Sequence, residues 1–130
     1  MSDWDFILSL RNDDKFRPYF YDQHIISKNE HYEYLTKQLT NKNLNNWIIT
    51  YNLKDVGYIR ILNNDVSIMI LKKFHNEGIG TDALRLLENK AKDLGIEKLI
   101  GRIMIDNKKS ENIFKKNNYK LKMFWYEKEI

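Results

Sequence analysis

The segment Ile68-Met69-Ile70-Leu71-Lys72-Lys73-Phe74-His75-Asn76-Glu77-Gly78-Ile79-Gly80-Thr81-Asp82-Ala83-Leu84 constrains the fold more than any other part of the chain. An apolar run passes into a short polar loop, then two glycines one residue apart, then a helical repeat. Apolar positions recur at Ala83, Leu84, Leu87, Ala91 and Leu94, with Asp82, Arg85, Glu88, Asn89 and Lys92 on the other face, as an amphipathic helix requires. Gly95 stands where a left-handed residue closes a helix. The chain therefore carries a strand that turns through glycine into a helix. At Gly78 and Gly80 no side chain is expected to cover the first helical amides. Those amides form the positive end of the helix dipole, so a phosphate can approach them closely. A plain strand-to-helix turn uses the same residues, and this pattern alone leaves both readings open.

The remaining sequence narrows the class. A chain of 130 residues is expected to form one domain, 1–130, around a single core. Hydrophobic residues at 42% and aromatics at 13% exclude a disordered chain. No run approaches 18 apolar residues, and the N-terminus has no basic region leading into an apolar stretch. Neither a membrane span nor a signal peptide is expected. The absence of cysteine excludes disulfides, thiolate metal sites and a cysteine nucleophile, in line with a cytoplasmic protein. The net charge of +4 arises from 22 basic residues scattered among 18 acidic ones, without a Lys/Arg block. Nucleic acid and membrane surfaces are therefore not the expected partners, and no metal site is expected. Lys72, Lys73, Lys108 and Lys109 supply enough local charge to draw in a polyanion.

The expected elements alternate. Trp4 to Arg11 reads as a short helix, and Pro18 with Tyr19-Phe20-Tyr21 as a loop. Ser27-Lys28-Asn29-Glu30 is a capping box opening a helix that presents His31, Tyr34, Leu35, Gln38 and Leu39 on one side. Strands are expected at Trp47 to Tyr51, Val56 to Leu62 and Val66 to Leu71, with an Asn63-Asn64 hairpin. The helix from Gly80 to Leu94, a strand from Lys98 to Ile103, a helix from Asn107 to Asn117 and closing strands within Tyr119 to Glu127 complete the order.

Two segments together carry a family resemblance over about residues 4–128. His75-Asn76-Glu77-Gly78-Ile79-Gly80 is similar to the acyl-CoA motif Gln/Arg-x-x-Gly-x-Gly/Ala of the GNAT N-acetyltransferase superfamily. Asn107-Lys108-Lys109-Ser110-Glu111-Asn112-Ile113-Phe114-Lys115-Lys116-Asn117-Asn118-Tyr119 resembles, without a gap, the second signature Asn-x-x-Ser/Ala-x-x-Leu/Phe-Tyr/Phe-x-x-x-Gly-Phe. The resemblance implies an α/β GNAT fold: a mixed, mostly antiparallel sheet, splayed at the cofactor site and flanked by helices. Only three residues precede Trp4, so the family's first strand is expected to be missing or replaced by a partner. It implies acetyl-CoA as cosubstrate, with its pantetheine arm added to the backbone of Met69, Ile70 and Leu71. The pyrophosphate is then expected along His75, Asn76, Glu77, Gly78, Ile79, Gly80 and Thr81. Asn107 would hold the arm as well as cap its helix, with Ser110 and Phe114 lining it. Two residues depart from the family. His75 replaces Gln or Arg, and as a base it is less expected than as a loop residue. Phe114 stands where many members carry a proton-donating tyrosine. Tyr119 and Tyr126 are substitutes by residue type only.

Leu10-Arg11-Asn12-Asp13 followed by Ser27-Lys28-Asn29-Glu30-His31 resembles the pattern of GNAT enzymes of the pseudaminic-acid type, which acetylate amino sugars on nucleotide carriers. It implies a nucleotide-linked amino sugar as acceptor, with Arg11, Asn12 and His31 as its contacts; the residue types alone are equally served by a surface ion pair and a half-buried helix histidine. A protein or peptide N-terminus is the rival acceptor, and a non-catalytic CoA-binding module the rival role. No general base stands out; Asp65 and Asp106 are the carboxylates nearest the expected cleft. A homodimer is the candidate assembly.

Overall fold

The computed structural model describes residues 2–130. Helix α1 (Asp3–Arg11) starts on Ser2, whose hydroxyl accepts the Asp5 amide at 3.2 Å, with acidic residues in the first turn and Arg11 in the last. A 3₁₀ turn at Arg17–Tyr19 interrupts the loop that follows. Helix α2 (Lys28–Gln38) starts on Ser27, whose hydroxyl accepts the Glu30 amide at 3.2 Å. The expected box is half formed, because the Glu30 carboxylate lies 3.5 Å from the Ser27 hydroxyl instead of its backbone amide. The inward face of α2 is also narrower than its spacing suggests. His31 and Leu35 are buried, while Tyr34 and Leu39 are exposed.

Strands β1 (Leu44–Tyr51), β2 (Lys54–Leu62) and β3 (Asp65–Ile70) form an antiparallel meander. Both hairpins place their two central residues at positive φ: Asn63 and Asn64 as expected, and Asn52 with Leu53. Leucine rarely takes that conformation, which is why the second turn is not evident from its residue types. Helix α3 (Ile79–Asp93) follows β3, and Gly95 closes it with φ of 75°. Strand β4 (Ile100–Gly101) lies parallel to β3 at the sheet edge, and α4 (Lys108–Lys116) packs beside α3.

Strand alternation divides the core. Ile59, Ile61 and Val66 meet Ala83, Leu84, Leu87 and Ala91 of α3 and Phe114 of α4. Tyr58 and Met69 meet Phe6, Ile7 and Leu10 of α1 on the opposite face. Leu94, expected inward, is half exposed at the C-terminal end of α3.

Two expectations are corrected at the sheet edge. The strand expected from Lys98 to Ile103 pairs only as Asp65↔Ile100 and Val66↔Gly101. The closing strands expected within Tyr119 to Glu127 are absent: residues 119–130 form no regular element, and Leu121, Met123, Phe124 and Tyr126 are each at least 75% exposed. A two-residue β4 offers no ladder for them to join. The tail is instead met by side chains, with the Tyr21 hydroxyl donating to Glu127 at 2.9 Å and the Arg102 guanidinium 5.9 Å from the Trp125 ring.

Candidate cofactor and acceptor site

Because pairing with β4 ends at Val66, the β3 edge from Ser67 to Ile70 has no strand partner among the described residues. This open fork is the splay that the fold class calls for. Met69 turns its side chain toward α1 and Ile70 toward α3, while Leu71 extends the pairing with β2 through its amide to the Val56 carbonyl at 2.9 Å. The chain then passes through a 3₁₀ turn (Lys72–Phe74), an extended His75 and a left-handed Asn76, reaching Gly78 at φ of 77°. Gly78 is the residue before the first helical position, so Ile79, Gly80 and Thr81 present amides without intrahelical acceptors.

The two glycines have different causes. A Cβ on Gly78 would meet nothing within 4 Å, so its backbone conformation is what requires glycine. A Cβ on Gly80 would lie 2.6 Å from Ile113 Cδ1 and 3.1 Å from Ile70 Cδ1. Gly80 thus faces inward and lets β3, α3 and α4 approach. The expectation that both glycines clear space for phosphate is corrected: Gly78 alone faces open space.

His75 joins the two signatures. Its Nε2–H donates to the Ile70 carbonyl at 2.7 Å, and its Nδ1 lies 3.1 Å from the Lys109 ammonium. A ring donating from Nε2 leaves Nδ1 to accept from that ammonium, so His75 fixes Lys109 beside the loop. Asn107 caps α4, its side-chain oxygen accepting the Ser110 amide at 3.3 Å. Asn107 and Ser110 are half-buried. Phe114 is a core residue, 5% exposed, filling the space of a Gly101 side chain and meeting Tyr119 edge-on at 4.8 Å. The Tyr119 hydroxyl is buried without a partner; burial, then the nearby Glu88 charge, push its pKa up to about 12.

The acceptor residues separate. Arg11 donates to the Asp22 carbonyl at 2.6 Å and lies 4.4 Å from the Phe20 ring centre, with its Nη1 buried and unpartnered. Burial lowers its pKa, Asp22 opposes that, and the charges of Arg17 and Arg60 add to the lowering. Both side-chain polar atoms of Asn12, and Nε2 of His31, are engaged within the chain. Asn12 donates to the Ile26 carbonyl at 2.7 Å and accepts the Ile26 amide at 2.9 Å. His31 is 5% exposed and its Nε2 meets the Trp4 carbonyl at 2.7 Å. Both are struts between elements. Asn12→Ala should therefore lower stability by about 1–3 kcal/mol, since it strands two backbone groups, and leave acceptor KM unchanged; urea unfolding and initial rates check this.

Sequence reasoning missed Arg60, Ser67 and Arg102. With Leu62, Asn63 and Asp65 they line a cavity of about 180 Å³. It sits on the α1 face of the sheet, where Ser67 is the first residue of β3 without a β4 partner and Arg102 the first beyond β4. The signal was available: Arg60 and Ser67 are polar interruptions, opposite each other, in the apolar runs 56–62 and 66–70. Asp65 is ion-paired to Arg102, whose Nε–H donates at 2.9 Å, and so is not a free base.

Comparison with known proteins agrees with this geometry. A domain from Methanocaldococcus jannaschii superposes with a TM-score of 0.79 at 22% identity, over 92% of this chain and 84% of that one. Spermidine N-acetyltransferase from Vibrio cholerae, solved with CoA and spermine, gives 0.77 at 16% identity, over 87% and 72%. Ribosomal-protein-alanine N-acetyltransferase from Brucella melitensis gives 0.74 at 15% identity, over 88% and 77%. At such identities the likeness is one of fold. No curated protein matches the chain. The acetyltransferase (GNAT) domain model matches residues 1–120. With the forked sheet and the open amides of α3, that match places the chain in the GNAT acetyltransferase family, as an N-acetyltransferase that uses acetyl-CoA.

Proposed function

We propose that the chain acetylates a primary amine on a nucleotide-linked amino sugar. The observation that carries this reading is the grouping of Arg11, Arg17 and Arg60 near one another. Arg11 is held over Phe20 with an unpartnered Nη1, within electrostatic reach of Arg17 and Arg60. A diphosphate satisfies such groups, whereas a polyamine is repelled by them. The acetyl-CoA arm adds to the β3 edge at Met69, Ile70 and Leu71, and the pyrophosphate lies on the loop from His75 to Thr81, with Lys109 beside it. Asn107 and Ser110 flank the arm.

Transfer is direct, since among the described residues at the fork none pairs a nucleophile with a base. The amine nitrogen bonds to the thioester carbonyl carbon, the C–S bond breaks, and the amine proton passes to water. Phe114 cannot protonate the departing thiolate. With a pKa near 8.5, that thiolate takes its proton from solvent. An amine beside electron-withdrawing sugar oxygens titrates below the lysine reference of about 10.4, so more of it is neutral at pH 7.

The test is release of free CoA, read with a thiol-reactive dye, against amino-sugar nucleotides, short peptides and spermidine. Arg11→Ala should raise the acceptor KM about ten- to a hundredfold, the loss of a charge-assisted contact of about 1.5–3 kcal/mol, and leave the acetyl-CoA KM unchanged. Turnover of peptides without any amino-sugar nucleotide would establish the protein-terminus reading instead. Acetyl-CoA binding without turnover of any amine would establish a non-catalytic module.

A further inference from the structure

The cavity at the fork carries a more specific assignment. Arg60 and Ser67 face each other across β2 and β3 on the side that also bears α1. Arg102 reaches the same space from the end of β4. The charges around this space do not cancel. Arg102 is neutralised by Asp65, and Arg17 by Asp14. Arg60 has no carboxylate within 4 Å among the described residues, and its side chain meets phenol hydroxyls only, that of Tyr34 at 3.5 Å and that of Tyr58.

An uncompensated guanidinium over a hydroxyl, in a space bounded by a second guanidinium, is donor-rich. It offers forked N–H groups from Arg60, an O–H from Ser67 and the outer face of Arg102, matching the oxygens of a phosphate group. Asp65 also lines the space, with its carboxylate paired to Arg102. The cavity also lies at the vertex of the splay, where the β3 edge first becomes free. A pantetheine arm added along that edge brings its thioester to this vertex.

We propose that the Arg60–Ser67–Arg102 cavity is an oxyanion subsite that holds a phosphate group of the acceptor, with Arg60 as its principal ligand. This rests on the reading of the chain as an amine acetyltransferase and deepens it. The acceptor is then an amine that carries its own phosphate within a few bonds of the reacting nitrogen. The subsite orients that nitrogen toward the fork and takes no part in the bond changes.

Inorganic phosphate is the probe, titrated by calorimetry into protein saturated with CoA so that the α3 amides are already covered. Wild type should bind phosphate saturably and acetate far more weakly. Arg60→Ala should weaken phosphate binding at least tenfold, and Arg60→Lys, which keeps the charge but loses the fork, should fall between. CoA affinity, measured in the same variants, should be unchanged, which shows that they are folded. Absence of saturable phosphate binding in wild type, or equal binding in Arg60→Ala with CoA affinity intact, would overturn the subsite. Failure of the acetyltransferase reading is seen separately, as no release of CoA with any amine while phosphate still binds.

Discussion

Thr81→Asp should lower acetyl-CoA affinity tenfold or more without loss of the fold. Thr81 is the third residue of α3, half-buried, with its amide free of an intrahelical acceptor. A carboxylate in the first turn of a helix is favourable, by about 0.3–1 kcal/mol. The same carboxylate stands among the amides assigned to the pyrophosphate. Two like charges at 4 Å repel by about 4 kcal/mol at an effective dielectric of 20, and what remains after screening still exceeds tenfold. Stability and affinity therefore move in opposite directions, which a purely structural role for the turn does not produce. Thermal unfolding and calorimetric titration of the same samples check both signs.

Gly57→Ala should be among the most damaging single-methyl additions, at about 1–3 kcal/mol or more. A Cβ there would fall on the Met69 carbonyl oxygen, well inside van der Waals contact, and lie 3.1 Å from Ile70 Cγ1 and 3.2 Å from Ile49 Cδ1. The first of these is backbone and cannot rotate away, so the pairing of β2 with β3 must shift. Met69 and Ile70 belong to the edge assigned to the cofactor arm, so acetyl-CoA affinity should fall with stability. Gly80→Ala is the contrast: its nearest neighbour is the far end of the Ile113 side chain, which can move, and alanine favours the helix. Urea unfolding of the two variants separates these cases.

The strand-to-helix turn is legible from residues alone because a continuous apolar run gives way at the glycines to a 3.6-residue repeat, and because Gly95 closes the helix. Asn63-Asn64 and Ser27 are legible for a similar reason, since each satisfies its own local backbone. What lies outside such local rules depends on direction and on distant partners. The sequence contains Gly80 but not the fact that it faces Ile113. Asn12 and His31 have the residue types of ligands, yet their partners are backbone groups of Ile26 and Trp4, supplied by other parts of the chain. The alternating apolar tail has the pattern of a strand, but pairing needs a neighbour, and β4 is two residues long. Arg60 and Ser67 acquire meaning only when the register sets them opposite each other.

The central claim is that the amides at the start of α3 hold the pyrophosphate of acetyl-CoA while the free β3 edge holds its arm. The most direct measurement compares acetyl-CoA with S-acetylpantetheine by calorimetry on the wild-type protein. The two share the thioester and the arm and differ in the phosphates and nucleotide. With each charge-assisted hydrogen bond contributing about 1.5–3 kcal/mol, two such bonds give acetyl-CoA an advantage of at least about a hundredfold. That advantage should shrink as salt is added. Equal affinity for the two compounds, at any ionic strength, would contradict the account.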